Sequence, residues 1–364
     1  MTRGPLRVVV ALVVALLLGA GLAAVPASAQ DAAPVPAPTP VPVPAPAPVP
    51  GPAPAPAPDP KAAPAKPAPA KPAPGMTNDQ LERLLQANPA AFGAMLVLKW
   101  GAAIAGCVLL VLGFVRRRDE RAGLVRPARA PAPPPVPFHP LVAVGLWIAM
   151  MAFSQVALFV VLKAVPSAAE GAGVSWPWGF GVTAAGTVTA AVVAAVALRR
   201  ARRAQGRTPW PVGPALALGG KGWLVATAIT IPATLVWVAI LSATGNAPEV
   251  QDLVERAVRA DASRAFLVAL GVLGIVVAPV TEELLFRGAM FGSMRARLGS
   301  RVGAILSSLI FAAVHMSLTA FVPLFVLALV LCWVYERSGS LVAPVVVHML
   351  NNATSLLPLF LVHL

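Results

Sequence analysis

Long apolar runs recur along this sequence of 364 residues and constrain its fold more than any other feature. Hydrophobic residues make up 58% of the chain and the mean hydropathy is +0.78, which excludes an ordinary water-soluble globular protein. Because apolar runs of about 18 residues or more predict membrane-crossing helices, we expect an all-α, polytopic transmembrane helical bundle. About eight spans are predicted, and the sixth and seventh could instead form one broken pair. They cover approximately residues 92–115, 141–165, 179–198, 223–244, 265–297, 302–318, 321–335 and 341–361.

The first residues predict export of the segment that follows them. Residues 1–29 combine Arg3 and Arg7 with an apolar core and the small-residue sequence Ala27-Ser-Ala29, which is typical of a secretory signal peptide. An uncleaved signal anchor is the alternative, although the apolar core is short for that role.

The remainder divides into four segments by composition. Residues 30–76 alternate proline with alanine and valine, which predicts a disordered, semi-rigid exported linker. Residues 77–90 predict a short amphipathic helix before the membrane. Residues 91–245 then carry the N-terminal transmembrane helices, and residues 246–364 form a second transmembrane core, which contains the candidate catalytic residues described below.

The positive charges predict topology rather than a nucleic-acid surface. The formal net charge is +14, but the arginines cluster directly after apolar runs, as in 116–118 and 199–203. With the exported N-terminus outside, every dense arginine block lies inside, as the positive-inside rule requires. We therefore expect a multi-pass protein of the bacterial inner (cytoplasmic) membrane with the linker outside. The lipid bilayer is its expected partner, and nucleic acid is not.

Two adjacent acidic residues, Glu282 and Glu283, lie inside an apolar run far from any predicted loop. Ionisable residues in hydrocarbon are costly and by default mark a functional site. On a helix, Arg287 lies four residues after Glu283 and can neutralise its carboxylate, whereas Glu282 points about 100° away. Gly288 and Gly292 form a small-x-x-x-small pair that predicts close helix contact beside the site.

Three further polar residues, His315, His348 and Asn352, lie in predicted spans six and eight. Counted from the inner arginines, Glu283, His315 and His348 lie roughly 16–21 Å above the inner edge, close to the middle of a ~30 Å hydrocarbon core. His348 and Asn352 are four residues apart and share one helix face. The matching depth predicts one buried polar site built from three helices.

This set of side chains fits hydrolysis by a glutamate-activated water. A carboxylate can take a proton from water, and imidazole and amide N–H groups can stabilise an oxyanion. No cofactor is then required. Zinc-dependent proteolysis remains an alternative because Glu and His are zinc ligands, although the sequence has no H-E-x-x-H motif. A non-catalytic scaffold or bacteriocin-immunity protein is the alternative from another class, and a transporter is a weaker third.

Three motifs in order resemble those of the CAAX-protease and bacteriocin-processing (CPBP) family of intramembrane glutamate endopeptidases. The family patterns EExxxR, FxxxH and HxxxN occur here as Glu282-Glu283-Leu-Leu-Phe-Arg287, Phe311-Ala-Ala-Val-His315 and His348-Met-Leu-Asn-Asn352. The resemblance covers about residues 260–355, a quarter of the chain. In predicted span seven, Ala328 and Cys332 replace glycines that family members often carry.

The resemblance implies an endopeptidase and a role for each of the motif residues. Glu282 would activate the water with help from His315, Glu283 and Arg287 would order the site, and His348 and Asn352 would form the oxyanion hole. The substrate would be a membrane-associated peptide or protein. Prenylated CAAX substrates are not expected in a bacterium, where relatives are linked to peptide processing and bacteriocin self-immunity.

Overall fold

The computed structural model describes residues 89–121, 136, 139–165, 169–170, 173–174, 176–203, 212–246 and 263–361. The predictions of a signal peptide, a linker and an amphipathic helix over 77–88 lie outside these residues. The described part contains eight helices and one two-residue hairpin between α2 and α3. The elements are α1 (Pro89–Arg121), α2 (Pro140–Ala164), β1 (Ala169–Glu170), β2 (Gly173–Val174), α3 (Trp176–Arg203), α4 (Val212–Ala243), α5 (Arg264–Leu298), α6 (Ser300–Ala313), α7 (Leu318–Ser338) and α8 (Val342–Leu361).

These helices confirm a helical membrane bundle, with corrections to the predicted spans. Six of them, α1 to α5 and α7, are long and apolar enough to cross a membrane, whereas α6 and α8 contain shorter apolar stretches. The predicted start of span four at residue 223 is wrong, because α4 begins at Val212. The predicted end of span six at residue 318 is also wrong: α6 ends at Ala313, and residues 314–317 form a turn before α7. The apolar sequence runs through this turn, so hydropathy alone could not locate it.

Glycines allow α4 to lie against three other helices. A Cβ atom on Gly106 of α1 would lie 2.0 Å from the Leu224 carbonyl oxygen of α4, so these two backbones are in direct contact. On α4 itself, a Cβ on Gly219 would lie 2.7 Å from Val346 of α8, and one on Gly222 would lie 2.7 Å from Val334 of α7. Such close approach between backbones is the usual means of packing helices where lipid removes the hydrophobic driving force.

The other half of the bundle packs around α5. Its side chains Leu285, Phe286 and Met290 are buried against α2, α3, α6 and α7 in one apolar cluster. The predicted close helix contact is present at Gly288 but not at Gly292, although a Cβ on either would lie 2.5 Å from a neighbouring side chain. The partners are Leu198 at the end of α3 and Val136 in the segment before α2. This packing places the middle of α5 between α3 and α8.

Helix α5 is not a uniform α-helix. It contains two π-helical segments, Val272–Val277 and Glu283–Phe291, separated by the short α-helical segment Ala278–Glu282. Segments with i→i−5 hydrogen bonds are rare and occur frequently at functional sites. The two adjacent glutamates lie at the junction between the α-helical segment and the second π segment.

Candidate active site

Glu283 and Arg287 form a fully buried ion pair. Arg287 Nη1 donates to Glu283 Oε1 over 2.8 Å, and the two side chains are 1% and 0% exposed, respectively. The same oxygen lies 2.8 Å from Nδ1 of His348 on α8. Because an ionised carboxylate only accepts hydrogen bonds, Nδ1 carries a proton and donates it to Glu283. The ion pair therefore fixes the orientation of the His348 ring.

Glu282 faces the opposite nitrogen of the same ring. Its Oε2 lies 3.7 Å from His348 Nε2, which is too long for a hydrogen bond but within ion-pair distance when the ring carries both protons. No described residue donates a hydrogen bond to this oxygen, and the side chain is 26% exposed. The separation of about 100° on an α-helix predicts that Glu282 and Glu283 face different spaces. The structure differs, because the imidazole of His348 reaches both carboxylates. Oε2 of Glu283 also lacks a donor among the described residues, so the two carboxylates differ in exposure: the Glu283 side chain is 0% exposed.

Phe311 on α6 joins the remaining side chains of the site. Its ring is 0% exposed and lies under the Arg287 guanidinium, 4.4 Å from the carbon atom to the ring centroid. The rings of His315, His348 and Phe286 have centroids 4.8, 5.9 and 5.0 Å from that of Phe311. A cation over an aromatic face and edge-to-face ring pairs are each favourable arrangements. Phe311 is therefore the apolar centre of the polar site.

His315 lies in the turn after α6 rather than in a membrane helix. Its Nδ1 lies 2.7 Å from the Phe311 carbonyl oxygen, and because a carbonyl only accepts, Nδ1 is the protonated nitrogen. In the neutral ring Nε2 then keeps a lone pair and can accept a hydrogen bond from water. The next residue, Met316, has φ 51°, a left-handed conformation that is uncommon for a side chain of this type. The turn thus keeps His315 half-buried, with Nε2 available to accept a hydrogen bond.

Asn352 binds the backbone of α5 rather than another side chain of the polar cluster. Its Nδ2 donates to the Gly274 carbonyl oxygen over 2.8 Å. An amide nitrogen has two protons, so one N–H group remains beyond this bond. The expected oxyanion role of Asn352 therefore competes with, or adds to, a hydrogen bond to the first π segment.

The structure brings five of the six predicted site residues into one connected cluster: Glu282, Glu283, Arg287, His348 and, through the shared aromatic ring, His315. Asn352 lies one helical turn from His348 on α8. Phe311 belongs to the FxxxH motif, but the sequence alone predicted no separate role for it. The four-residue spacing between Phe311 and His315 was the signal in the sequence, because it lets the two rings contact each other on a helix.

The described residues contain no group of three or more His, Cys, Asp or Glu side chains with geometry suited to a metal ion. The charge distribution at the glutamate pair gives a reason. Glu283 is already bonded to the Arg287 guanidinium, and a dication placed at the same carboxylate would be repelled by it. A divalent cation bound at Glu283 would therefore have to overcome repulsion from the neighbouring guanidinium.

Comparisons with known proteins identify the segment that carries the site. Residues 264–354 match the model of the family described as type II CAAX prenyl endopeptidase Rce1-like. UPF0177 protein YxdF of Lactococcus lactis subsp. lactis (strain IL1403) is 36% identical over 78 residues, which is 21% of this chain and 42% of the relative. An uncharacterized 24.3 kDa protein of Escherichia coli is 39% identical over 90 residues, 23% of this chain and 41% of the relative. No solved structure matches the chain.

The matches are confined to part of each protein. The chain spans about two fifths of the length of these curated relatives, and the family match covers a quarter of the chain. That quarter nevertheless contains α5, α6, α7 and most of α8, and all of the predicted site residues lie within it. Residues 264–354 of this multi-pass membrane protein are therefore similar to the family described as type II CAAX prenyl endopeptidase Rce1-like.

Proposed function

We propose that this chain is an intramembrane endopeptidase that hydrolyses membrane-associated peptides or proteins with a water activated by Glu282. The observation that carries the proposal is the unequal environment of the two glutamates around His348. Glu283 is completely buried and bonded through Oε1 to both Arg287 and His348, whereas the Glu282 side chain is 26% exposed and forms no hydrogen bond with a described residue. A general base needs a lone pair and access to water, and of the two glutamate side chains only that of Glu282 is partly exposed.

The reaction steps follow from this arrangement. Glu282 takes a proton from a water molecule, and the water oxygen forms a bond to the carbonyl carbon of the scissile peptide. Glu282 then gives the proton to the leaving nitrogen as the carbon–nitrogen bond breaks, which yields a carboxyl group and an amine. Nε2 of His315 accepts a hydrogen bond from the same water and helps to orient it.

His348 stabilises the oxyanion when its ring carries protons on both nitrogens. Nδ1–H is committed to Glu283, so an N–H directed at the substrate must come from Nε2. Such a preorganised donor is typically among the largest contributions to catalysis of acyl transfer. Glu283 and Arg287 support this arrangement without contacting the substrate.

The test compares new protein N- and C-termini in membranes of cells that express either the wild type or Glu282→Gln at equal levels. Peptide ends present with the wild type and lost with the variant would identify both the activity and the substrate. Glu120→Gln is the matched control, because Glu120 forms only an exposed ion pair with Arg116 at the end of α1. Identical termini for the wild type and Glu282→Gln, with both proteins inserted and folded, would exclude the protease and favour the scaffold or immunity function.

Metal analysis and chelator sensitivity distinguish the glutamate mechanism from zinc-dependent proteolysis. We expect the purified chain to cleave equally before and after exposure to a chelator. Loss of cleavage with the chelator and its return with zinc would instead assign the reaction to a metal. We further propose the bacterial inner membrane as the location, with the N-terminal segment outside, supported by the arginines in the C-terminal turns of α1 and α3.

A further inference from the structure

The first π segment of α5 leaves one backbone carbonyl without a backbone donor. At the end of this segment, the Ala278 N–H donates to the Leu273 carbonyl, a spacing of five residues. The next carbonyl, that of Gly274, would take its hydrogen bond from residue 279 in the same register. Residue 279 is a proline and has no N–H group. The combination of a π turn with Pro279 therefore leaves the Gly274 oxygen dependent on a side chain.

Asn352 supplies the missing donor from another helix. Its Nδ2 lies 2.8 Å from the Gly274 oxygen and links positions 78 residues apart in sequence. Gly274 also lacks a side chain at the point where α8 approaches, since a Cβ there would lie 2.8 Å from Leu356. A backbone carbonyl inside a membrane protein costs free energy when unsatisfied, so this contact stabilises the π segment in its observed register.

The register of the π segment determines where the glutamates point. A π turn contains one residue more than an α-helical turn, and one residue corresponds to about 100° of rotation. Reversion of the first segment to α-helix would therefore rotate Glu282 and Glu283 away from His348 by a similar angle. Helix α8 contacts α5 at both places, through His348 at the glutamates and through Asn352 one turn later at the π segment.

We propose that Asn352 is a positioning residue. It satisfies the carbonyl that Pro279 leaves without a donor, and in this way it holds α5 in the register that directs both glutamates at His348. The consequence for cleavage rests on the proposed protease function, whereas the consequence for stability does not. Under this proposal the amide acts through α5 and does not contact the substrate oxygen.

The test uses Asn352→Ala, Pro279→Ala and the double variant in the full chain. Asn352→Ala is expected to lower the folded-to-unfolded ratio about 5- to 150-fold, the range for one buried unsatisfied polar group. It is also expected to lower the kcat of cleavage about 10- to 100-fold through misplacement of the glutamates. Pro279→Ala restores an N–H group at the position that faces Gly274, so the double variant should recover most of both losses.

Thr354→Val is the matched control on α8. It removes a hydroxyl that bonds only to carbonyls of its own helix, and should leave stability and cleavage near wild type. Recovery of stability without recovery of kcat would show that Asn352 donates directly to the reacting oxygen, which overturns the positioning role. If the double variant recovers no stability, the loss in Asn352→Ala does not come from the Gly274 carbonyl that Pro279 leaves without a donor, and the proposal is overturned. If the double variant recovers the stability lost in Asn352→Ala but the wild type has no peptidase activity, the positioning of α5 is supported and the proposed function is rejected.

Discussion

The buried ion pair between Glu283 and Arg287 predicts strongly non-additive effects on stability. In Glu283→Gln the amide oxygen still accepts the hydrogen bond from His348, so the substitution mainly removes the negative charge. Arg287→Met keeps a long apolar stem and removes the positive charge. Each single variant leaves the other charge buried, because the two side chains are 0% and 1% exposed.

The magnitude follows from that burial. Removing one partner of a buried pair costs about 3–5 kcal/mol, mostly because the remaining charge has no compensation. In the double variant neither charge remains, so its cost should be at least about 2 kcal/mol below the sum of the single variants. Loss of the cation–π contact between Arg287 and Phe311 occurs both in Arg287→Met and in the double variant, so it cancels from the coupling energy.

The assay is reversible unfolding of the purified protein in mixed micelles, followed by circular dichroism for all four forms. The same cycle at Arg116 and Glu120 is the control. This pair has the same four-residue spacing, but its side chains are 56% and 24% exposed. An exposed pair of this kind is expected to couple by no more than about 0.5 kcal/mol. Additive effects at Glu283 and Arg287, or equal coupling in both pairs, would refute the buried ion pair as a determinant of stability.

Three other substitutions test the surroundings of the site and the bundle. Phe311→Leu should lower cleavage at least about tenfold, because it removes the ring on which the guanidinium and both imidazoles pack. The control is Phe291→Leu: Phe291 is equally buried but packs against a tyrosine, so this change should lower stability with less effect on cleavage. Gly106→Ala should destabilise the protein by about 1–3 kcal/mol in the unfolding assay, because the new Cβ meets backbone of α4, and Gly101→Ala, which faces open space, should not. Met316→Gly should preserve or raise stability by up to about 1 kcal/mol by relieving the positive φ angle, and a loss of stability would contradict that strain.

The sequence predicted the parts of the site that depend on local spacing. The four-residue separation of Glu283 and Arg287 places them in contact on a helix whether its turns are α or π, and they form the expected pair. The motifs on α5 and α8 approach each other as their common predicted depth implies. These features follow from helix rise and from the cost of charge in an apolar environment, which are properties of short segments.

The features that the sequence did not predict depend on tertiary contacts. A π turn and an α turn have nearly the same hydropathy pattern, so the rotation of Glu282 toward His348 was not visible in the sequence. The turn that carries His315 interrupts an apolar run without a glycine or proline. The amide of Asn352 could be placed on a helix face, but its partner, a carbonyl left unpaired by Pro279, becomes apparent only in three dimensions.

The most direct test of the account compares Glu282→Gln with Glu283→Gln on cleavage and on unfolding of the same purified proteins. Glu282→Gln should lower kcat about 10²- to 10⁴-fold, the range for loss of a general base, with unfolding close to wild type because Glu282 has no hydrogen-bonded partner among the described residues. Glu283→Gln should lower stability as well as cleavage. Loss of cleavage in Glu283→Gln with full activity in Glu282→Gln would contradict the central claim and reverse the two glutamates.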